Sequence, residues 1–213
     1  MLVNAIIVNR NLLSSLKDTV EFLRKEPRIN KICIIDHNST YPELLEWYKT
    51  TNEQVDYLKY NSSAQNAWNL RYSDLRRTHF ILADPDCSYE GVPNDWLDRM
   101  FDVLNNTNVF KVGFSLEIED LPDTEIGKEA YQHESIYWTK KVEYGWDAHI
   151  DTTFALYRPN CGFSYDAIRL DKPYCIKHVP WYLTKENIPK EWEYYLDNCS
   201  HVSTWGSRLK KPL

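Results

Sequence analysis

The chain has 213 residues, 43% of them apolar and 26% charged, which is enough for one domain with a real core and excludes a disordered or fibrous protein. A net charge of −6 excludes a general nucleic-acid binder, which would spread lysine and arginine over one face, so any phosphate-bearing ligand must be met locally. Five widely spaced cysteines without a C-x-x-C pair suggest neither a disulfide framework nor a zinc cage, and a reducing compartment fits them best.

Leu2 to Val8 is a nearly continuous apolar run, too short for a signal peptide or membrane span, and reads as a first strand. Leu12, Leu16, Val20 and Leu23 then recur at helical spacing until Pro27 stops the pattern. Lys31 to Asp36 predicts a second strand, and Pro42 opens a helix carrying Leu44, Leu45, Trp47 and Tyr48. Val55 to Tyr60 is a weaker third strand, Asn66 to Arg76 is expected to be helical, and Thr78 to Ala83 is a fourth strand ending at Asp84. Trp96, Leu97, Met100, Phe101 and Leu104 mark another helix, and Val109 to Leu116 another strand. Such alternation predicts an α/β fold with a mostly parallel sheet flanked by helices, because parallel neighbours need crossover connections. The second half is aromatic-rich and irregular, with strands at Thr153 to Tyr157 and Pro173 to Val179 and a helix near Ile188 to Leu196. One domain is expected, residues 1–105 forming a nucleotide-binding half and residues 106–213 an acceptor-binding half.

In open parallel sheets ligands lie beyond the carboxyl ends of the strands. Strand one delivers Asn9 and Arg10 there, strand two Asp36, His37, Asn38 and Ser39, and strand four Asp84, Pro85 and Asp86. With six glycines and no G-x-G-x-x-G or phosphate loop, a diphosphate cannot be cradled in glycine-rich backbone. A divalent cation held by Asp86 with Asp84 nearby would do that work, and carboxylate oxygens select Mg²⁺ or Mn²⁺. By itself Asp84–Pro85–Asp86 is equally a surface turn, since these residues are common turn formers. The polar groups at the two neighbouring strand ends favour the ligand-binding alternative.

The segments IIVNRN (6–11), IIDHNST (34–40), SAQNAWNL (63–70) and HFILADPDCSY (79–89) resemble the GT-A fold glycosyltransferases, both the family 2 and the glucuronyltransferase type. The resemblance covers residues 3–105 well and IDTTFALYR (150–158) and HVSTWGSR (201–208) more loosely. It implies a nucleotide contact at Asp36, a ribose and diphosphate neighbour at Asp84, a metal ligand at Asp86, and Mn²⁺ or Mg²⁺ with a UDP-sugar donor. Three consecutive acids occur in the glucuronyltransferase type; here Pro85 takes the middle place, so any ribose contact by a middle acid is lost. His201 resembles the late histidine that contacts diphosphate or metal. Length, the Met1 start and the basic end are also similar to the amino-terminal glycosyltransferase domain of chlorovirus proteins acting on capsid glycans. That would make the chain part of a longer multidomain protein, located in the host cytoplasm and without a membrane span.

Inverting transfer needs a carboxylate that takes the proton of the attacking hydroxyl on the acceptor side, and Asp151 and Glu191 are the candidates, with Asp147 four residues before Asp151. A backbone cap at a strand end for Asp151 and an acid favoured by the helix dipole for Glu191 are equal alternatives, and a retaining transferase needs no such base. Asn66, Arg10 and Arg71 are candidate nucleotide contacts. His178, Trp181 and Tyr182 could face a sugar ring, and Glu117, Glu119 and Asp120 its hydroxyls; core or solvated loop is the plain alternative for each. The expected partners are a nucleotide-sugar donor and a glycan or glycoprotein acceptor. A glycoside hydrolase, a nucleotidyltransferase and a metal-independent glycan-binding module remain as alternatives at this level.

Overall fold

The computed structural model describes residues 1–198 and 204–209. Twelve strands and six helices follow in chain order: β1 Val3–Asn9, α1 Ser14–Arg24, β2 Ile29–Asp36, α2 Pro42–Tyr48, β3 Gln54–Tyr57, β4 Phe80–Ala83, β5 Cys87–Ser88, α3 Trp96–Asn106, β6 Lys111–Gly113, β7 Ser115–Leu116, α4 Glu125–Glu134, β8 Lys141–Val142, β9 Gly145–Asp147, β10 Phe154–Tyr157, β11 Ile168–Leu170, β12 Cys175–His178, α5 Lys190–Asn198 and α6 Thr204–Leu209.

Nine strands form one sheet in the order β3-β2-β1-β4-β10-β6-β11-β9-β8. The first four are parallel, as expected from the alternation of strand and helix. β10 then runs antiparallel to both neighbours, and only β6 and β11 form a further parallel pair. The sheet is therefore mixed, its continuous parallel part confined to the first half and one isolated parallel pair, β6 with β11, lying in the second. Alternate residues of the apolar strands enter two separate cores. Ala5, Ile7, Ile32, Ile34, Ile81 and Ala83 pack with Leu16 and Leu23 of α1, Leu44 of α2 and Trp96, Leu97 and Met100 of α3. Ile6, Cys33, Ile35, Phe80 and Leu82 face the other way, onto Ala67, Tyr72 and Leu75. Coverage on both faces explains why these strands read as continuous apolar runs rather than alternating ones. Truncating one of these fully buried side chains, such as Ile6→Ala, is expected to cost about 2–5 kcal/mol.

Two expectations change. The segment from Asn66 to Arg76 is not an α-helix but two 3₁₀ stretches, 64–68 and 70–76, broken where the Asn69 side chain accepts a hydrogen bond from Arg71 N–H. Asparagine side chains compete with the helical backbone pattern in this way. The strand expected over Val109 to Leu116 is split: β6 stays in the large sheet, while β7 pairs with β12, which pairs on its other edge with β5. Gly113 closes β6 against β10; a Cβ there would stand 2.1 Å from the Phe154 carbonyl oxygen, so no larger residue permits this approach.

Candidate active site

Register places the ends of β1, β2 and β4 side by side, with Asn9 opposite Asp36 and Ile7 opposite Ala83. The Asp84–Pro85–Asp86 turn that follows β4 is fixed from three directions. Asp84 N–H donates to Thr153 O at 3.0 Å, Val179 N–H donates to Asp86 O at 2.8 Å, and the Thr19 hydroxyl donates to Pro85 O at 3.3 Å. The short β5–β12 ladder holds the next residues, pairing His178 with Cys87. The turn is thus a clamped structure and not a loose surface loop.

Two cavities open on either side of it. One, about 640 Å³, lies beyond β1, β2 and β4 and is lined by Asn9, Arg10, His37 and the 61–64 segment, and is closed by Trp192 and Tyr195 of α5. The other, about 430 Å³, is lined by Glu134, Arg169, His178 and the rings of Tyr137, Tyr165, Trp181 and Trp205. Asp84, Asp86 and Asp151 line both. Burial, with the negative charges of Asp86 and Asp151, pushes the Asp84 carboxyl well above the usual carboxylate range, while the Thr152 hydroxyl, donating at 2.8 Å, pulls it back. Desolvation in the cleft also works against charge on Asp151. The Thr153 hydroxyl at 2.6 Å, the Thr153 N–H at 3.0 Å and the nearby His178 outweigh it, and its carboxyl lies below the usual value. The backbone of this segment is held from beneath by Lys111, fully buried, whose ammonium donates to Ile150 O at 2.5 Å and Asp151 O at 3.1 Å.

Several buried polar atoms at the cavity walls lack a partner: Asn9 Oδ1, His37 Nε2, Asp86 Oδ1, His178 Nδ1, Trp181 Nε1 and Trp192 Nε1. Unpaired buried groups are rare in folded proteins, and their convergence on one cleft is what a ligand site requires. Among the described residues no group of three or more His, Cys, Asp and Glu side chains is arranged to enclose a metal ion. The residues nevertheless fit a hard divalent cation. Asp86 has one carboxylate oxygen 3.3 Å from His178 Nε2 and the other unpartnered, with the carboxylate of Asp84 beside it. Mg²⁺ and similar ions commonly take one or two protein carboxylates and complete their shell with substrate phosphate and water.

Of the expected site residues, the cleft gathers Asn9, Arg10, Asp84, Asp86 and Asp151. Five others are placed elsewhere. Asp36 is 1% exposed, and its two carboxylate oxygens are occupied by Ser39 N–H at 2.8 Å and Tyr48 OH at 2.9 Å, so it shapes the loop after β2 and does not line the cavity. Asn38, at φ 61°, points out to solvent. Asn66 caps its own 3₁₀ stretch through Ser63 O at 2.9 Å. Arg71 is paired with Asp56 outside the cleft. Glu191 caps α1, accepting from Leu13 and Ser14 N–H at 2.7 Å each, because the first backbone amides of a helix lack intrahelical partners. Its carboxylate is consumed in joining α5 to α1. His201 lies outside the described residues. Asp147 pairs with Lys140, Glu117 and Glu119 with Lys172, and Asp120 with Lys177 and Tyr182, all away from the cleft.

Sequence reasoning passes over Glu134 and Arg169, and gives His37 a place at the strand end but no role. Glu134 and Arg169 form a buried ion pair in the smaller cavity, and burial pushes the Glu134 carboxyl up to about 7 against the pull of Arg169. Glu134 ends α4, an element legible in hindsight from Thr124, whose hydroxyl caps the helix by accepting Gly127 N–H at 3.0 Å, followed by Ile126 and Ala130 at helical spacing. Arg169 carries no local signal; it matters because β11 pairs with β6 and β9.

The nine-stranded mixed α/β sheet flanked by helices is the GT-A, nucleotide-diphospho-sugar transferase fold, and its strand ends line the larger cavity. The chain is similar in structure to the mannosyltransferase PcManGT from Pyrobaculum calidifontis, solved with GDP-Man and Mn²⁺, at a TM-score of 0.54 and 12% identity over 91% of this chain and 59% of that one. It also matches the M. tuberculosis glucosyl-3-phosphoglycerate synthase at a TM-score of 0.46 and 9% identity, over 74% of this chain and 57% of that one. A third match is a 4-diphosphocytidyl-2C-methyl-D-erythritol synthase, at a TM-score of 0.44 and 11% identity, over 92% of this chain and 97% of that one. The chain thus spans 59% of the mannosyltransferase. No family model and no curated protein matches the sequence. No helix among the described residues is long and apolar enough to cross a membrane.

Proposed function

We propose that the chain is a glycosyltransferase that moves a sugar from a nucleoside-diphosphate donor, a UDP-sugar on the sequence resemblance, to a hydroxyl of a glycan, with a divalent cation as cofactor. The observation that carries this reading is the position of Asp84, Asp86 and Asp151, shared by a cavity at the strand ends and a second one rimmed by aromatic rings. The larger cavity takes the nucleotide and the smaller one the acceptor. On this assignment the nucleotide side takes Asp151, Thr152, Trp192 and Tyr195 from residues 106–213 in addition to groups from residues 1–105. The mannosyltransferase of similar fold, solved with GDP-Man and Mn²⁺, supports the choice of donor class and metal.

Asp86, with Asp84, would hold Mn²⁺ or Mg²⁺, which when bound neutralises the charge of a departing diphosphate. Asp151, held in its charged form by Thr153, takes the proton from the acceptor hydroxyl as that oxygen bonds to the sugar C1 and the C1–phosphate oxygen bond breaks. This role corresponds to transfer with inversion. Tyr137, Tyr165, Trp181 and Trp205 supply apolar faces for a sugar ring. On the narrower sequence resemblance the acceptor is a capsid glycan.

The test is nucleotide release from a panel of UDP-sugars and GDP-mannose with Mn²⁺, with and without oligosaccharide acceptors, on the wild type and Asp151→Asn. Acceptor-stimulated release that Asp151→Asn removes supports transfer. Cleavage of aryl glycosides without nucleotide would instead indicate a hydrolase, and metal-indifferent sugar binding without release a binding module.

A further inference from the structure

We infer that His37, and not the aspartate before it, reads the base of the donor nucleotide, and that it selects bases carrying a ring N–H, uracil or guanine, over cytosine or adenine. This inference rests on the reading of the larger cavity as the nucleotide site. His37 lines that cavity, is 2% exposed, and its Nε2 is buried without a partner. The ring is otherwise engaged: it donates to the Ser62 backbone and the Asn61 side chain, which leaves Nδ1 as the protonated nitrogen. With Nδ1 donating and Nε2 unpartnered, the neutral imidazole carries its lone pair on Nε2, the form that burial of the ring favours.

A buried acceptor without a partner, on a residue that lines a ligand cavity, asks for a donor on the ligand. Uracil N3 and guanine N1 carry a hydrogen at the Watson–Crick edge, whereas the corresponding ring nitrogens of cytosine and adenine carry lone pairs that would face the lone pair of Nε2. The placement is right for a base. His37 follows β2, two strands from the Asp84–Asp86 turn after β4, so roughly 10 Å separates them at the usual strand spacing, with Asn9 and Arg10 between. Its backbone is fixed as well, His37 N–H donating to Asn9 O at 2.9 Å and Arg10 Nη1 to His37 O at 3.2 Å. Asp36 is 1% exposed, turned to Ser39 and Tyr48, and does not line this cavity.

The experiment is calorimetric titration of UDP, CDP, GDP and ADP with Mn²⁺ into the wild type, His37→Ala and, as a second variant should alanine impair folding, His37→Phe. The wild type is expected to bind UDP more tightly than CDP, and GDP more tightly than ADP, by about tenfold or more, the effect of one hydrogen bond made or refused. Both ratios collapse to near unity in the variants. UDP-to-CDP and GDP-to-ADP ratios unchanged by the substitution overturn the inference while leaving the nucleotide site intact, because a contact to ribose would weaken all four ligands alike. A folded wild type that binds none of the four overturns the inference together with the functional reading beneath it.

Discussion

The two cavities that meet at the acidic turn are built from different materials. The larger is walled by strand ends and by small polar groups whose hydrogen-bonding atoms are buried and unpartnered, Asn9 Oδ1 and His37 Nε2 among them. The smaller is walled by tyrosine and tryptophan rings around the Glu134–Arg169 pair. Unpartnered buried polar atoms occur on both walls, His178 Nδ1 and Trp181 Nε1 in the smaller, so both suit ligands of defined hydrogen-bonding pattern, and the smaller adds ring faces and a buried ion pair. On the proposed reading, the donor side is formed mainly by the ends of the parallel strands and the acceptor side by elements joined late in the chain.

Substitutions at the shared carboxylates break the comparison most severely. Asp86→Asn removes the principal cation ligand for both sides, and metal-dependent turnover should fall about a thousandfold or more, as several kcal/mol of charge stabilisation implies. Steady-state kinetics across a Mn²⁺ series measures this. Asp151→Asn should separate the sides: turnover falls by about a hundredfold or more, while UDP affinity by calorimetry stays within about twofold. Equal loss of binding and turnover would show instead that Asp151 serves the donor.

Glu191→Ala sharpens the comparison by showing which acid lies outside the cleft. Loss of the α1 cap and of the α5–α1 link should lower stability by about 1–3 kcal/mol in denaturant unfolding and leave turnover per folded molecule unchanged. A further test, read in stability alone, concerns Lys111, under the Asp151 segment. Burial pushes its ammonium down to about 8 from 10.5, so the folded chain gives up that proton before the unfolded chain does. Stability of the wild type relative to Lys111→Met should therefore rise between pH 8 and 10.5, measured as the difference in unfolding free energy. A difference that falls over that interval would contradict the buried, charged placement.

Much of the parallel half is legible in the sequence because each element there is local: an apolar run, a helical stripe ended by Pro27, Pro42 opening α2. The acidic turn was legible for the same reason, since Asp84 and Asp86 follow a strand directly. The surroundings of Asp36 and Glu191 are not legible in sequence, because a carboxylate at a strand end or helix start is equally suited to binding backbone amides and hydroxyls, and only the tertiary contacts with Ser39, Tyr48, Leu13 and Ser14 show what each touches. Arg71 similarly finds Asp56 across a distance no local pattern encodes. In the second half, three-residue strands such as β9 and β11 gain their place from partners far along the chain, so the pairing that carries Arg169 to the cleft has no periodic signature.

The central claim is that a divalent cation at Asp86 and Asp84 joins the nucleotide to this fold, and titration of UDP with Mn²⁺ and with EDTA, on the wild type and on Asp86→Ala, measures it directly. Binding that requires Mn²⁺ in the wild type and is lost in Asp86→Ala is the predicted result. UDP binding of equal strength in EDTA, or undiminished in Asp86→Ala, would contradict it.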